Sequence, residues 1–315
     1  MNVHDALRPG PRDPDALAKV CLAISGFRSD EAVLELFGGL GDSVRAFGRV
    51  LVVESMASGS LERALAEAFP DVEHVGVPDN LGSAGNFALR LHLAAQGELD
   101  YVYACNHDGH VDPAKVLRLV RVAETDPGLG AVYPLRRLTG KGGRYDRAGE
   151  RLAPPVVPVG SVDERAGILS ETFWSSSNGS LYRLGPVRQG ILPDADLWMG
   201  WEDLGFGRAL SDAGWRQVVV NDVVLDDDYE YVRRGIGPIG VHVSDKPTWY
   251  QYYSARNLLL LARRSRQPRW PLYAKIGVEA AVIAGLRDRK RERMGLHLRG
   301  ILDGLRGETG KWRRP

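Results

Sequence analysis

The sequence has few cysteines, no long apolar run and no zinc-type ligand motif. Only Cys21 and Cys105 occur among 315 residues, each in an apolar, strand-like run, so we expect reduced core thiols of a cytosolic protein, not a disulfide framework. No run reaches the roughly 18 apolar residues of a membrane-spanning helix. Neither CxxC nor HExxH occurs, which argues against a zinc site. The polar, proline-bearing start MNVHDALRPGPRDPDALAKV is not typical of a signal peptide.

Charge is balanced over the whole chain but divided unevenly along it. The formal net charge is +1. Residues 263–315 carry 15 Lys or Arg against 5 Asp or Glu, a net of +10, and residues 1–262 carry 26 against 35, a net of −9. A basic tail suggests an anionic neighbour, namely a membrane surface, a phosphorylated substrate or nucleic acid. A solvated helical face is the alternative.

Apolar strand-like runs alternate with helical segments through the first half. Strands are predicted at 20–27, 49–55, 72–78, 99–105 and 130–135. This rhythm predicts an α/β fold whose mostly parallel sheet is covered by helices on both faces. Ligands of such sheets bind beyond the carboxyl ends of the strands. The polar residues that follow the predicted strands are Arg28, Glu54, Asn80, Asn106 and Asp108.

The second half of the sequence does not continue the regular alternation of strands and helices. Residues 136–170 are rich in Gly, Pro and Arg and are predicted to be mainly loop. Further strands are predicted within 174–184 and 216–225, and helices within 199–215 and 248–266 and twice in the tail. We therefore predict an N-terminal extension (1–18), a main domain (19–246) and a basic helical region (247–315).

Five motifs follow one another along the chain, and their order is more specific than any one alone. They are VVESMASGS (52–60), NLGSAGNFALRLHLA (80–94), CNHDGHVDP (105–113), GWEDLGFGRAL (200–210) and VHVSDKPTWYQYYSARNLLLL (241–261). Over roughly residues 19–265 the chain resembles family 2 glycosyltransferases of the GT-A fold. The resemblance implies a Rossmann-like GT-A domain that binds nucleotide-sugar and acceptor, followed by a C-terminal helical extension.

Two branches of that family are open. The WED sequence followed by HVSDK resembles bacterial galactofuranosyltransferases, whereas the NxD form and the GILDGLRGETG ending resemble bacterial rhamnosyltransferases. Either branch implies an inverting, metal-dependent transfer from a UDP- or dTDP-sugar to an acceptor hydroxyl in cell-envelope polysaccharide or secondary-metabolite assembly. The acceptor would be a sugar, a lipid-linked or a small molecule. We expect a cytoplasmic protein, with anionic membrane contact through the basic tail and homo-oligomerisation as further expectations, and no nucleic-acid partner.

The resemblance also implies a divalent cation, Mn²⁺ or Mg²⁺, because a leaving diphosphate builds negative charge that oxygen-held cations stabilise. Asp108 is the implied ligand, with distal His242 as the second; imidazole suits Mn²⁺ better than Mg²⁺. Asn106 stands where the family often has Asp, and its uncharged amide is expected to contact ribose or sugar hydroxyls. His107 would line the donor site. The alternatives are a helix-capping role for Asp108 and a surface or packed position for His242.

An inverting transfer needs a base that takes the proton of the acceptor hydroxyl. The resemblance assigns this role to Asp203 and acceptor binding to Glu202, since adjacent residues at a helix start face different ways. Ordinary acids favoured by the helix dipole are the alternative. Trp174 and Trp201 are predicted to stack on sugar faces, with core packing as the alternative.

The remaining predictions concern the donor. The residues expected to bind it are Ser25, Phe27, Arg28, Glu54, Gly82, Ser83, Asn86, Asn106 and His107. Glu54 stands where the family usually has Asp, and Gly82, Ser83 and Asn86 begin a helix whose amides would meet phosphate or sugar.

Three other functions compete with glycosyl transfer. A nucleotidyltransferase would need a glycine-rich basic signature after the first strand, where this chain has SGFRSDE. A non-catalytic sugar or lipid-head-group binding protein is favoured by Asn106, but intact Asp108, Glu202, Asp203 and His242 argue against it. Glycoside hydrolases also use two carboxylates, but the strand-end motif gives no reason to prefer one.

Overall fold

The computed structural model describes residues 14–138, 144–146, 169–227, 231–234, 241–244 and 246–312. Most of the predicted N-terminal extension and of the 136–170 loop lies outside these residues. The described strands are β1 (Val20–Phe27), β2 (Arg49–Ser55), β3 (Glu73–Val77), β4 (Tyr101–Asn106), β5 (Leu129–Leu138), β6 (Arg144–Asp146), β7 (Leu169–Glu171), β8 (Ser180–Arg183), β9 (Arg216–Asp227), β10 (Tyr231–Arg234) and β11 (Val241–Ser244).

Helices occupy the segments between the strands and the C-terminal region. They are α1 (Asp30–Leu40), α2 (Ser60–Ala68), α3 (Gly82–Ala94), α4 (Pro113–Thr125), α5 (Leu184–Arg188), α6 (Glu202–Asp212), α7 (Tyr250–Arg264), α8 (Trp270–Leu286) and α9 (Lys290–Arg306). Short 3₁₀ helices cover Pro14–Lys19, Gly41–Ala46 and Ala195–Leu197. In the part of the chain that the structure describes, no helix is both long and apolar enough to traverse a bilayer.

The main sheet has the strand order β3-β2-β1-β4-β8-β5-β9-β7, with β6 paired to β5. Strands β3, β2, β1 and β4 are mutually parallel, as the sequence rhythm predicts. Strand β8 is antiparallel to both β4 and β5, and β9 is again parallel to β5. The predicted α/β class with a mostly parallel sheet is confirmed. Strands β10 and β11 form a separate antiparallel pair.

Both faces of the sheet are buried. Successive side chains of a strand point to opposite sides, so one strand contributes residues to two core clusters. Leu22 and Ile24 of β1 join one core cluster with Phe37 of α1. Cys21 joins the other cluster with Phe87 of α3. Both cysteines are buried and unbonded, and burial raises the pKa of the Cys21 thiol to about 12. They are inert core thiols, as expected.

The C-terminal helices pack on α7, whose residues Gln251–Ala262 are all buried. Gly300 of α9 permits this approach, since a Cβ there would lie 2.2 Å from the Tyr252 carbonyl oxygen. Arg256, fully buried on α7, donates to the carbonyl oxygens of Leu197 and Gly310. Helix α7 thus ties the tail to the segment just before α6. The domain boundary at residue 246 stays a prediction.

Candidate active site

A cavity of about 280 Å³ opens where β1, β2 and β4 end and α3 begins. Its lining residues are Ser25, Gly26, Phe27, Ser55, Asn80, Gly82, Ser83, Asn86, Phe87, Arg90, Asn106, His107, Asp108, Ser176, Ser177, Met199, Glu202 and Asp203. This is the edge at which parallel α/β sheets bind ligands. The predicted site residues that the structure brings together here are Ser25, Phe27, Gly82, Ser83, Asn86, Asn106, His107, Asp108, Glu202 and Asp203.

The ends of β1 and β4 supply one polar wall. The Ser25 hydroxyl donates to Asn106 Oδ1 at 3.2 Å, and the Asn106 amide N–H donates to Asn178 Oδ1 at 2.9 Å. Asp112, not Asp108, caps α4, because its Oδ1 accepts from the Ala114 N–H at 2.9 Å. The structure therefore does not support the alternative in which Asp108 caps the helix. The exposed Asp108 carboxylate lies at the cavity rim.

Arg90 lies beneath this wall, and the sequence predictions missed it. The side chain is 2 % exposed and donates to the carbonyl oxygens of Ala23 at 3.1 Å and Cys105 at 2.7 Å. Burial lowers the pKa of Arg90 to about 10, which leaves it cationic at neutral pH. The sequence feature that could have identified Arg90 is a single arginine on the helix face that also carries the apolar Phe87 and Leu91 of α3.

The start of α3 forms the second wall. Gly82 has φ +67°, and a Cβ at this position would lie 2.0 Å from the Trp198 carbonyl oxygen. Asn80 Oδ1 accepts from the Gly82 N–H at 2.9 Å. Asn86, buried one turn further on, donates to the Val53 carbonyl oxygen at 2.8 Å. Gly82 therefore has a conformational reason to be glycine, independent of any ligand.

Four buried polar atoms of the cavity residues have no hydrogen-bond partner among the residues described. They are Asn86 Oδ1, Arg90 Nε, His107 Nδ1 and Glu202 Oε2. Buried polar atoms are nearly always paired in folded proteins, so such exceptions at a cavity point to contacts that a ligand completes. This observation favours ligand-binding roles for Asn86, His107 and Glu202.

Asp203 stands in the first turn of α6 and lines the same cavity as the strand ends. Its Oδ1 accepts from the Ser177 N–H at 3.1 Å. Burial and, secondly, the negative charge of Glu202 raise the pKa of Asp203 to about 7, against the opposing hydrogen bond from Ser177. A carboxylate that titrates near neutrality is suited to proton transfer.

Lys246, the last residue of the HVSDK stretch, adds a cation near this carboxylate pair, although it was not among the predicted site residues. Burial lowers the pKa of Lys246, while the negative charges of Glu202 and Asp203 oppose that shift. Its Nζ lies 3.8 Å from the centroid of the Tyr250 ring. The carboxylate pair is thus partly balanced by a buried ammonium group.

Five predicted site residues are not among those lining the cavity. Glu54 is buried with its Oε2 3.0 Å from His74 Nε2, and Arg28 Cζ lies over the Phe27 ring, 5.6 Å from its centroid. Trp174 and Trp201 pack edge to face against each other with centroids 6.1 Å apart. The side chain of His242 lies outside the described part of the chain.

Asp108 is the cavity residue on which binding of a divalent cation would depend. Over the described ranges, no three His, Cys, Asp or Glu side chains come together as a metal site. A cation that bridges a diphosphate needs only one or two protein carboxylates, because phosphate and water oxygens fill its other positions. The cavity wall that holds Asp108 fits such a shared cation. The described residues of this wall do not form a cage that would hold a metal without substrate.

The raised pKa of Asp203 carries a stability prediction. Because the folded-state pKa exceeds the unfolded value near 4, the folded protein loses stability as pH rises from about 4 to about 7. Asp203→Asn removes this cost, so it is expected to raise the free energy of unfolding by about 1–3 kcal/mol at pH 8, after allowance for solvent screening. Urea unfolding of the variant and the parent protein at pH 8 and at pH 4 measures this difference in the free energy of unfolding. An equal effect at both pH values would contradict the raised pKa.

Over 90–93 % of its length the chain resembles solved GT-A glycosyltransferases in fold. S. aureus TarS 1-349 aligns with a TM-score of 0.56 at 11 % identity, over 90 % of this chain and 80 % of that one. The complex of TarS 1-349 with UDP-GlcNAc aligns at 0.51 and 12 % identity, over 92 % of each chain. The mannosyltransferase PcManGT from Pyrobaculum calidifontis, in complex with GDP-Man and Mn²⁺, aligns at 0.50 and 14 % identity, over 93 % and 76 %.

At these identities the likeness establishes the fold. The GT-A architecture that the five motifs predicted is confirmed. No family model matches the chain, and no curated protein matches it in sequence.

Proposed function

We propose that the protein is an inverting glycosyltransferase that moves a sugar from a nucleotide-diphosphate donor to an acceptor hydroxyl. The observation that carries this proposal is that one cavity is lined both by the carboxylate pair Glu202 and Asp203 and by the polar ends of β1 and β4 with Asp108. A sugar bound in this cavity would lie within reach of a base for the acceptor hydroxyl and of groups that hold the leaving diphosphate.

The donor would bind along the strand ends and the start of α3. Ser25 and Asn106 would offer hydroxyl and amide groups to the ribose or sugar, and Gly82 and Ser83 at the start of α3 line the same cavity. The TarS and PcManGT structures contain nucleotide-sugars, which supports this donor class. We propose a UDP- or dTDP-sugar, such as galactofuranose or rhamnose, because the motifs resemble those two branches.

In the proposed reaction, Asp203 takes the proton of the acceptor hydroxyl as that oxygen forms a bond to the anomeric carbon. The bond between this carbon and the diphosphate oxygen breaks, and its electron pair leaves with the nucleoside diphosphate. The Ser177 N–H donates to Asp203 Oδ1 and so helps to orient the carboxylate that would receive the proton. Glu202, whose Oε2 is buried and unpaired, would bind a second acceptor hydroxyl.

A divalent cation, Mn²⁺ or Mg²⁺, held by Asp108 and, on the resemblance, His242, would neutralise charge on the leaving diphosphate. Asp108→Ala is therefore expected to abolish the metal dependence of nucleotide binding. Calorimetric titration of UDP and dTDP, each with and without Mn²⁺ or Mg²⁺, measures this. We expect a gain in affinity of about tenfold or more with metal in the parent protein, since a cation shared by carboxylate and diphosphate adds charge-assisted bonds to both.

Asp79→Ala is the matched control, because Asp79 is an exposed acid near the ends of the strands but outside the cavity lining. It should keep the full metal effect. Metal-independent nucleotide binding by the parent protein would remove the cation from the mechanism. Binding of neither nucleotide would count against the donor assignment.

The cellular setting is proposed on the resemblance and on composition. The acceptor would belong to cell-envelope polysaccharide or secondary-metabolite assembly, and the reaction would take place in the cytoplasm. Reduced, buried Cys21 and Cys105 are compatible with that compartment.

A further inference from the structure

Helix α8 has an outward face without charge. All of α8 is described, and each of its exposed residues is apolar or glycine. The largest of them, Trp270, Tyr273 and Val278, are 51 %, 48 % and 55 % exposed. Surface helices of globular proteins normally turn charged residues outward and apolar ones inward. A sustained apolar face of this kind marks a surface that meets something other than water.

The two charged residues of α8 face the protein. Lys275 and Glu279 form an ion pair at 3.6 Å. The Glu279 carboxylate accepts from the Ser254 hydroxyl at 2.9 Å, and that hydroxyl oxygen accepts from Trp201 Nε1 at 2.8 Å. Lys275 Nζ also lies 5.7 Å from the centroid of the Trp201 ring. Because Trp201 directly precedes Glu202, the inner side of α8 supports the acceptor side of the cavity.

We propose that the outer face of α8 docks on an anionic lipid surface. Exposed cations flank the helix at both ends, with Arg266 and Arg269 before it and a basic run (289–291) after it. Trp and Tyr are enriched at membrane–water interfaces, and anionic lipid attracts Lys and Arg that lie near its surface. At 17 residues, α8 is about 25 Å long and would lie along the surface, with its cations among lipid phosphates.

Charge favours a lipid partner over a second copy of this chain. A two-fold interface brings the same patch of both copies together. Each copy would then bring a segment, residues 263–315, with 15 basic and 5 acidic side chains. Like charges brought together disfavour association, whereas an anionic surface is attracted by the same residues.

The consequence for the substrate rests on the proposed function. Docking through α8 would turn the side of the cavity next to Trp201 and Glu202 toward the lipid. The acceptor class that fits this geometry is a lipid-linked sugar or lipid-linked phosphate, presented at the membrane surface.

Vesicle flotation of the full-length protein tests the docking surface without any need for transfer activity. The vesicles contain phosphatidylcholine alone or phosphatidylcholine with phosphatidylglycerol. We expect binding to the anionic vesicles at low salt and weakening at about 0.5 M salt, where the Debye length is only a few ångströms. The double variant V278E/A281E, which places two carboxylates on the outer face of α8, is expected to lower the bound fraction about tenfold or more.

The matched control is A66E/A68E, which adds the same two charges at exposed alanines of α2. It should bind vesicles like the parent protein, and circular dichroism verifies that both variants are folded. No flotation of the parent protein with anionic vesicles would overturn the proposal, as would equal flotation of V278E/A281E. A dimer seen by light scattering that V278E/A281E abolishes would assign the face to a second copy and also overturn it. Flotation supports the docking surface whether or not sugar transfer is found.

Discussion

Asp203→Asn is expected to lower the turnover number for sugar transfer by about 10²–10⁴-fold, the usual contribution of a general base. The asparagine cannot take a proton from the acceptor hydroxyl. It keeps a carbonyl oxygen that can accept from the Ser177 N–H, so the local structure and nucleotide affinity should be retained. Initial rates and calorimetric titration of the nucleotide, measured on the same preparation, test both parts.

The control for this variant is Asp196→Asn, an exposed acid shortly before α6, which should leave turnover unchanged. Because Asp203→Asn is also expected to stabilise the fold at pH 8, loss of activity with a higher unfolding temperature would separate a chemical role from misfolding. Near-normal turnover in Asp203→Asn would show that another group is the base.

Gly82→Ala is expected to lower the free energy of unfolding by about 2–5 kcal/mol. Two costs add: a left-handed conformation at φ +67°, which disfavours any side chain by about 1–2 kcal/mol, and a Cβ only 2.0 Å from the Trp198 carbonyl oxygen, an overpacking of about 1–3 kcal/mol. Relief of the clash moves the start of α3, so nucleotide affinity should fall as well. Urea unfolding and nucleotide titration measure the two effects.

Gly38→Ala in α1 is the matched control, because no atom lies within 4 Å of a Cβ there. Its helical position should make alanine neutral or more stable by up to about 1 kcal/mol. A Gly82→Ala variant as stable as the parent would show that α3 can begin without this close contact to the chain before α6.

The helices and strands of the first half were predictable because each carries its own periodicity. Strands β1 and β2 have the predicted bounds, and β3 and β4 differ from prediction by one or two residues at their ends. The direction of β8 was not predictable. Alternation of side chains is the same in parallel and antiparallel strands, so only its pairing with β4 and β5 determines how it runs.

A motif and a strand end coincide at Asn106 and Asp108, and both residues line the cavity; their roles stay predictions. Glu54 also follows the motif pattern, yet the fold turns its carboxylate to His74. Arg90 escaped prediction because its partners are backbone carbonyls of β1 and β4, which no residue pattern specifies. The assignment of the helix cap to Asp112 instead of Asp108 also required coordinates, since both are acids near the start of α4.

By itself, the sequence determined the strand and helix pattern, the GT-A resemblance and the concentration of positive charge after residue 262, since these depend only on the order of residue types. The tertiary structure decided which of those residues meet. It raised the pKa of Asp203 by placing it in a partly buried cavity beside Glu202. It also turned Lys275 and Glu279 of α8 toward Trp201 and left the apolar side of that helix outside. Burial and proximity belong to the packed chain, because residues far apart in sequence create them.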